Sequence, residues 1–182
     1  RDAGATAAAT PAQAISAAEV IITMLSDGFA TQALLDDPAF QDALARGMIW
    51  IDMSSAKPAH ARDQAAQLAT RGVHHLDAPV SGGTKGAQAG TLAIMAGGSA
   101  DVFDQVEPLL HALGRPVRVG PSGAGQLCKL ANQAIVAVTI SAVAEATLLV
   151  EKGGCDPAAM RAALVGGFAD SLILQQHGQR MS

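Results

Sequence analysis

The chain has 182 residues and a formal net charge of −4, and 49% of its residues are hydrophobic while 15% are charged. Such a chain can bury a sizeable core, and its length allows one domain and part of a second. It has no cluster of Lys or Arg that would form a basic face, so we expect no nucleic-acid partner. Cys128 and Cys155 form no CxxC pair, which predicts free thiols in a reducing compartment such as the cytoplasm.

The two ends and the longest apolar run bear on the location of the protein. The sequence starts with Arg1, and no basic segment precedes an apolar core, so no signal peptide is predicted. We expect both ends to continue in a longer protein. The apolar run over residues 134–150 contains Thr139, Ser141 and Glu145. A buried helix of a soluble protein is therefore favoured over a membrane span.

Up to about residue 122, short β-type runs alternate with helical segments. In chain order the pattern predicts a helix over 11–18, a strand over 19–25, a helix over 28–35, strands over 47–53 and 74–80 separated by a helix over 58–70, a strand over 90–95, a helix over 100–113 and an edge strand over 116–119. This alternation predicts an α/β fold with a doubly wound parallel sheet. Ligands of such sheets bind at the carboxyl ends of the strands.

After residue 122 the pattern is helical throughout. Neither Gly nor Pro interrupts the sequence between Gly125 and Gly153, which predicts one helix of about seven to eight turns. Asp156-Pro157 has the residues that begin a further helix, and a last helical segment is expected over 170–179. The expected domains are therefore residues 1–122 and residues 123–182.

A glycine-rich segment follows the strand that is predicted over 74–80. Gly82, Gly83, Gly86 and Gly90 leave the backbone free to approach a ligand, and the N–H groups of such a loop can surround an anion. A substrate carboxylate fits this segment, and the Ser81 hydroxyl would add a donor. The alternative is a plain loop that joins two strands.

A second polar group lies at the start of the long helix. Lys129, Asn132 and Gln133 are spaced so that their side chains leave one face of a helix. Desolvation by apolar neighbours lowers the pKa of a lysine, which would let Lys129 give a proton to a carbonyl oxygen. Asn132 could bind the same substrate. The alternative is a solvated helix start with ordinary polar residues.

Other motifs point to no chemistry. His74 and His75 are adjacent on a predicted strand, so their side chains point to opposite faces and cannot easily bind one ion. We therefore expect no metal. No G-x-G-x-x-G follows a strand, and the glycines over 120–125 do not match this dinucleotide-binding pattern.

Two long stretches resemble the signatures of the β-hydroxyacid dehydrogenase family. DAPVSGGTKGAQAGTLAIMAGG (residues 77–98) is similar to its substrate-binding signature, and GPSGAGQLCKLANQ (residues 120–133) to its catalytic-lysine signature. VIITML (20–25) and IDMSS (51–55) extend the similarity over most of the chain. Ser26 stands where the family commonly has Pro and Glu19 where it commonly has Asp; both departures are mild.

The resemblance implies a role for each matching residue. Lys129 would be the general acid in reduction and the base in oxidation. A small carboxylate-bearing substrate would be held by Ser81, Gly82 and Gly83 at its carboxylate and by Asn132 and Gln133 at its hydroxyl or carbonyl side. The NAD or NADP cofactor would be lined by Met24, Leu25, Ser26 and Ser55.

The resemblance also implies an architecture. Residues 1–122 would be an incomplete Rossmann-like NAD(P)-binding domain without its first strand, helix and strand. Residues 123–182 would be a long helix and the start of an all-helical substrate and dimerisation domain, in a protein that is a homo-oligomer at full length. Because this chain holds no G-x-G-x-x-G turn, we expect it to bind the cofactor weakly and to be inactive by itself.

The sequence motifs identify the family more clearly than they identify its substrate. KLANQAIVA (residues 129–137) and Gly166-Gly167 indicate the subgroup that reduces tartronate semialdehyde, and 3-hydroxyisobutyrate dehydrogenases are the near alternative. A 6-phosphogluconate dehydrogenase would need more basic residues than Lys85 beside the glycine-rich segment. A non-catalytic binding module of the same fold would have no need of Lys129.

Overall fold

The computed structural model describes residues 4–180, the last of these by its backbone alone, and has two compact units, one up to Lys129 and one from Leu130. The strands are β1 Val20–Thr23, β2 Ile49–Asp52, β3 His74–Asp77, β4 Val80–Ser81, β5 Leu92–Gly97 and β6 Gly114–Gly120. The helices are α1 Pro11–Ile15, α2 Gly28–Asp36, α3 Pro38–Ala43, α4 Pro58–Ala69, α5 Gly83–Ala89, α6 Ala100–Leu110, α7 Ala124–Lys152, α8 Pro157–Leu164 and α9 Leu172–Gln176, followed by a 3-10 turn at Gly178–Arg180.

Short polar side chains begin several of these helices. The Thr10 hydroxyl accepts a hydrogen bond from the Gln13 amide at the start of α1. Asp37 accepts from the amides of Ala39 and Phe40 and so begins α3, a helix that was not predicted. Asp37-Pro38 is the same kind of Asp-Pro pair as Asp156-Pro157, from which α8 was correctly predicted.

The sheet of the first unit has the order β1-β2-β3-β5-β4, and β6 pairs with β5. β1, β2 and β3 are parallel, and their register places Thr23, Asp52 and Asp77 side by side at the carboxyl ends. The α/β fold is confirmed. The sheet is not parallel throughout, because β5 runs antiparallel to β3 and β4. The short segment 82–91 reverses the chain, whereas a parallel connection needs about a dozen residues or more.

Two predictions between residues 74 and 90 are corrected. The strand predicted over 74–80 stops at Asp77 and resumes as β4, because Pro79 between them has no N–H to give to a ladder. The glycine-rich segment is not an open loop, since most of it forms α5. Positive φ angles of 136° at Gly82 and 63° at Gly90 bend the backbone before and after this helix.

Successive side chains of β2, an inner strand of the sheet, point to opposite faces and divide the core into two clusters. Ile49 and Ile51 of β2 pack in one cluster with residues of β3, β5 and α6, while Trp50 packs in the other with residues of β1, α2, α3 and α4. A strand buried on both faces is continuously apolar until its polar end, as the IWID sequence of β2 is. Core residues therefore pack on both faces of β2, the strand that ends in Asp52.

The second unit contains most of α7 together with α8, α9 and the 3-10 turn. α7 is long and apolar enough to cross a membrane by length and composition, and 11% of its most apolar window is buried. The expectation of a buried helix is therefore wrong for the described part of the chain. From Leu130 onward only Val143 and Thr147 of α7 are buried, because α8 and α9 are too short to cover a helix that is apolar on most sides.

Candidate active site

The carboxyl edge of β1, β2 and β3 is polar and buried. The Thr23 hydroxyl donates a hydrogen bond to Asp52 Oδ1 over 2.9 Å and accepts one from Trp50 Nε1 over 2.8 Å. Asp77, beside Asp52 in the register, is fully buried. Paired in this way, the buried polar groups fix the strand ends on which the following loops stand.

The four residues predicted to line a cofactor lie at this edge. Met24, Leu25 and Ser26 follow β1, Ser55 follows β2, and all four are exposed. A hydrogen bond of 2.8 Å from the Leu25 amide to Ser54 Oγ joins the two loops. The structure therefore brings the predicted cofactor residues to one open surface with both apolar and hydroxyl groups.

Lys129 lies in the second turn of α7 with its side chain half-buried. Its Nζ donates a hydrogen bond of 2.7 Å to the Val80 carbonyl. Burial lowers the pKa of Lys129 from its ordinary value, in the direction expected from its apolar neighbours. Because Val80 immediately precedes Ser81, the ammonium group lies beside the segment predicted to hold the substrate carboxylate.

That segment presents open backbone to solvent. Ser81 is half-buried, whereas Gly82 and Gly83 are exposed. Apart from its chain neighbours and the backbone of its own helix, no atom lies within 4 Å of the position that a Cβ on Gly83 would take, and its φ of 60° favours glycine. The space in front of Gly83 is therefore free for a ligand.

Asn132 and Gln133 belong to the second unit. Asn132 is half-buried, Gln133 is exposed, and Asn132 Nδ2 donates a hydrogen bond of 2.9 Å to Gln133 Oε1. Their place on α7 agrees with the predicted helix, and their contact with substrate stays a prediction.

The roles of two residues that hold the start of α7 in place, Asp77 and Gln126, were not recognised from the sequence. Asp77 accepts hydrogen bonds from the amides of Gly123, over 2.7 Å, and Gln126, over 2.9 Å. Burial raises the pKa of the Asp77 carboxyl, and these backbone hydrogen bonds oppose the rise. Asp77 thus holds the start of the helix that carries Lys129 against the end of β3.

Gln126 is the second of these residues, and 1% of its surface is exposed. Its Nε2 donates to the Ser54 carbonyl and its Oε1 accepts from the Ala56 amide, each over 2.8 Å. Both residues lie inside the quoted motifs. Their roles depend on contacts across 46 to 72 positions of sequence, which a local pattern cannot show.

Two other predictions concern reactive side chains. Cys128 and Cys155 are free thiols, as predicted. His74 is exposed and His75 is buried, as the alternation along a strand requires. Among the residues that the structure describes, no group of three or more His, Cys, Asp or Glu could hold a metal ion.

Two protein families together match the whole chain. Residues 1–123 match the NAD binding domain of 6-phosphogluconate dehydrogenase. Residues 123–182 match the family described as NAD-binding of NADP-dependent 3-hydroxyisobutyrate dehydrogenase.

Individual relatives agree with these matches. The chain is 44% identical over 180 residues to the 2-hydroxy-3-oxopropionate reductase of Escherichia coli (strain K12), an alignment that covers 98% of this chain and 62% of that protein. It is 40% identical over 156 residues to an NAD-dependent L-serine dehydrogenase of Pseudomonas aeruginosa, which covers 85% of this chain and 52% of that protein. The chain therefore spans between about half and two thirds of the length of these curated relatives.

Solved structures share the fold. The 3-hydroxyisobutyrate dehydrogenase of Mycobacterium tuberculosis, solved with L-serine, superposes with a TM-score of 0.80 and is 32% identical, over 92% of this chain and 57% of that one. A candidate oxidoreductase from Mycobacterium avium 104 gives a TM-score of 0.83 at 29% identity, over 90% of this chain and 58% of that one. With its motifs, fold and relatives in agreement, the chain belongs to the β-hydroxyacid dehydrogenase family.

Proposed function

We propose that the protein carrying this chain is an NAD(P)-dependent oxidoreductase that interconverts a small 3-hydroxy acid and its semialdehyde, with Lys129 as the acid and base. The observation that carries this proposal is the hydrogen bond of 2.7 Å between Lys129 Nζ and the Val80 carbonyl. It holds a half-buried ammonium group next to Ser81 and the open backbone of Gly82 and Gly83.

The residues at the ends of β1 and β2 fit a nicotinamide group. Met24 is 64% exposed and Leu25 38%, so their side chains offer apolar surface to a flat ring. The hydroxyls of Ser26 and Ser55 lie in the same two loops and can bind its polar substituents. NAD or NADP would supply or accept the hydride, while the chain positions the reactants and handles the proton.

Lys129 would move the proton. In reduction its ammonium group donates a proton to the substrate carbonyl oxygen, and in oxidation the neutral amine takes the hydroxyl proton. An ammonium group has three N–H donors, and Val80 accepts one, which leaves others for the substrate oxygen. The lowered pKa of Lys129 favours both reduction and oxidation, because a group that gives and takes a proton works best when its pKa lies near the working pH.

The other predicted residues would orient the substrate. Ser81, Gly82 and Gly83 would bind the carboxylate through a hydroxyl and exposed backbone N–H groups. Asn132 and Gln133, with amide groups that can donate and accept, would bind the hydroxyl or carbonyl side. Binding of the carboxylate beside Lys129 would orient the substrate carbonyl for proton transfer.

We propose tartronate semialdehyde, which is 2-hydroxy-3-oxopropionate, as the substrate that is reduced to glycerate. Its support is the similarity to the Escherichia coli reductase. The second candidate is the 3-hydroxyisobutyrate dehydrogenase reaction, which is supported by the family matched over 123–182 and by a Pseudomonas aeruginosa relative of that name. The free thiols of Cys128 and Cys155 suit a cytoplasmic location, and the exposed apolar side chains of α7 favour a homo-oligomer.

The test measures how fast the intact gene product catalyses the oxidation of NADH and of NADPH, with tartronate semialdehyde or methylmalonate semialdehyde as the second substrate. We expect turnover of one aldehyde, and Lys129→Ala should lower kcat by about 10²- to 10⁴-fold. Lys152→Ala removes an exposed lysine from the other end of the same helix and should retain activity. Turnover that survives Lys129→Ala would contradict the proposed role, and a folded protein without turnover would contradict the proposed reaction.

A further inference from the structure

We infer that Gln126 is a positioning residue, whose amide aligns the loop after β2 with the start of the helix that carries Lys129. The inference rests on the proposed function, because alignment matters only if the loop holds a cofactor and Lys129 moves a proton. It assigns a role to a side chain that would touch neither substrate nor cofactor.

The Gln126 amide holds both neighbours of an exposed residue. It donates to the carbonyl of Ser54 and accepts from the amide of Ala56, each over 2.8 Å. Ser55 lies between these two contacts and is itself exposed. A single side chain therefore fixes the backbone on either side of the residue that we assign to the cofactor surface.

Ser54 extends this connection to the loop after β1. Its hydroxyl accepts from the Leu25 amide over 2.8 Å, and its own amide donates to Asp52 Oδ1 over 3.0 Å. A series of hydrogen bonds thus runs from Gln126 through Ser54 to Leu25. The two loops proposed to line the cofactor are both fixed relative to the start of α7.

The other end of the connection is Lys129. Gln126 and Lys129 are three residues apart on α7, so they lie on neighbouring turns of one face. The backbone of Gln126 is in turn held by the Asp77 carboxylate. A shift of the amide would therefore change the distance between the proton donor and the cofactor surface, and about 1 Å of misplacement can cost about 100-fold in rate.

A second glutamine supplies a matched control. Gln64 has the same exposed fraction as Gln126, 1%, and its Nε2 donates over 3.2 Å to the Gly28 carbonyl. It ties α4 to α2 and makes no hydrogen bond to α7 or to the loops after β1 and β2 among the described residues. Replacing Gln64 thus removes a buried amide that takes no part in the hydrogen bonds between Gln126, Ser54 and Leu25.

The test compares Gln126→Met, Gln126→Glu and Gln64→Met in the intact gene product. Methionine keeps the volume and removes both hydrogen bonds, while the Asp77 contacts to the backbone remain and should preserve folding. Glutamate keeps an acceptor for the Ala56 amide and loses the donor to Ser54. The measurements are kcat, KM, the pH profile of kcat, and the pH dependence of Lys129 acetylation by mass spectrometry, which needs no turnover.

For Gln126→Met we expect kcat to fall by about 10- to 100-fold, more than any change in KM. The acetylation midpoint of Lys129 should move to higher pH, because a loosened helix start lets water reach the ammonium group. Gln126→Glu should also lower kcat, because its carboxylate has no donor for the Ser54 carbonyl; its midpoint should rise as well, in part because of the new negative charge one turn from Lys129. Gln64→Met should leave both unchanged per folded molecule.

Several results would overturn the inference. One is a Gln126→Met protein with wild-type kcat and an unshifted midpoint, and another is an equal change in Gln64→Met. If Gln126→Met does not fold, the kcat criterion applies to Gln126→Glu. A wild-type protein that turns over none of the aldehydes contradicts the proposed function, whereas the acetylation series still decides whether Gln126 controls the surroundings of Lys129.

Discussion

His75 in β3 is a buried polar side chain whose ring makes no hydrogen bond among the described residues. Burial lowers its pKa from 6.5 to about 4, against an opposing effect of the nearby Asp52 charge. The imidazole is therefore neutral in the folded protein over a range in which the unfolded chain binds a proton. Stability should fall as the pH drops from about 6.5 to about 4.

Replacing His75 should remove this part of the pH dependence. Since a pKa difference of one unit is worth about 1.4 kcal/mol, we expect His75→Phe to remove up to about 3 kcal/mol of the loss between pH 7 and pH 4. The measurement is the free energy of unfolding in urea at a series of pH values. His74→Phe, an exposed neighbour on the same strand, is the control. Equal pH dependence in wild type and His75→Phe would disprove the role of His75.

Asp77 offers a test of how the start of α7 is held. Asp77→Asn keeps the shape but turns an NH₂ group toward the amide of either Gly123 or Gln126, where two donors would meet. We expect a loss of about 1–3 kcal/mol in the free energy of unfolding, since a buried donor is left unpaired. Urea denaturation measures it beside Asp101→Asn, an exposed aspartate in the first turn of α6. Equal midpoints for the two variants would contradict this account.

At the scale of the element, α7 approaches the sheet through a glycine. A Cβ on Gly125 would lie 2.3 Å from the carbonyl oxygens of Asp77 and Met95. Alanine favours a helix over glycine by about 1 kcal/mol, but this contact is with backbone that cannot move aside. We therefore expect steric repulsion to prevail in Gly125→Ala, with a net loss of about 1–3 kcal/mol.

Thermal unfolding measures this effect. Gly153→Ala is the control at the far end of α7, because its Cβ would meet the nearest atoms at an ordinary 3.4 Å. Gly125→Ala should lower Tm relative to that control. A Tm equal to or above that of Gly153→Ala would show that the helix start can shift freely.

The long helix α7 was predicted from a local signal, whereas the course of the glycine-rich segment was not. The absence of Gly and Pro between Gly125 and Gly153 predicted α7, and it extends over Ala124–Lys152. The glycines over 82–90 suggested a loop, although only Gly82, Gly83 and Gly90 among them have a positive φ, and the residues between Gly83 and Gly90 form a helix. A run of glycines shows that the backbone can adopt positive φ angles, but not which of the glycines adopt them.

At the scale of the whole molecule, the sequence predicted the α/β fold. Lys129, Ser81 and Ser55 could be selected as candidates because they lie in motifs that resemble those of the family, and their roles stay predictions. The antiparallel direction of β5 could not be predicted, since it depends on how residues 82–91 turn the chain. The roles of Asp77 and Gln126 were also hidden, because each becomes visible only when distant strand ends meet.

The hydrogen bonds of Asp77 also bear on the order in which the protein folds. Its carboxylate holds amides that lie 46 and 49 positions later in the chain. Closing so long a loop is slow and entropically unfavourable compared with forming a helical turn. α7 can form as a helix from local contacts alone, whereas its first turn can reach its final position only when the end of β3 is in place. A partly folded chain would contain Lys129 in a helix but not beside Val80, so the proton donor of the proposed reaction exists only in the completed sheet.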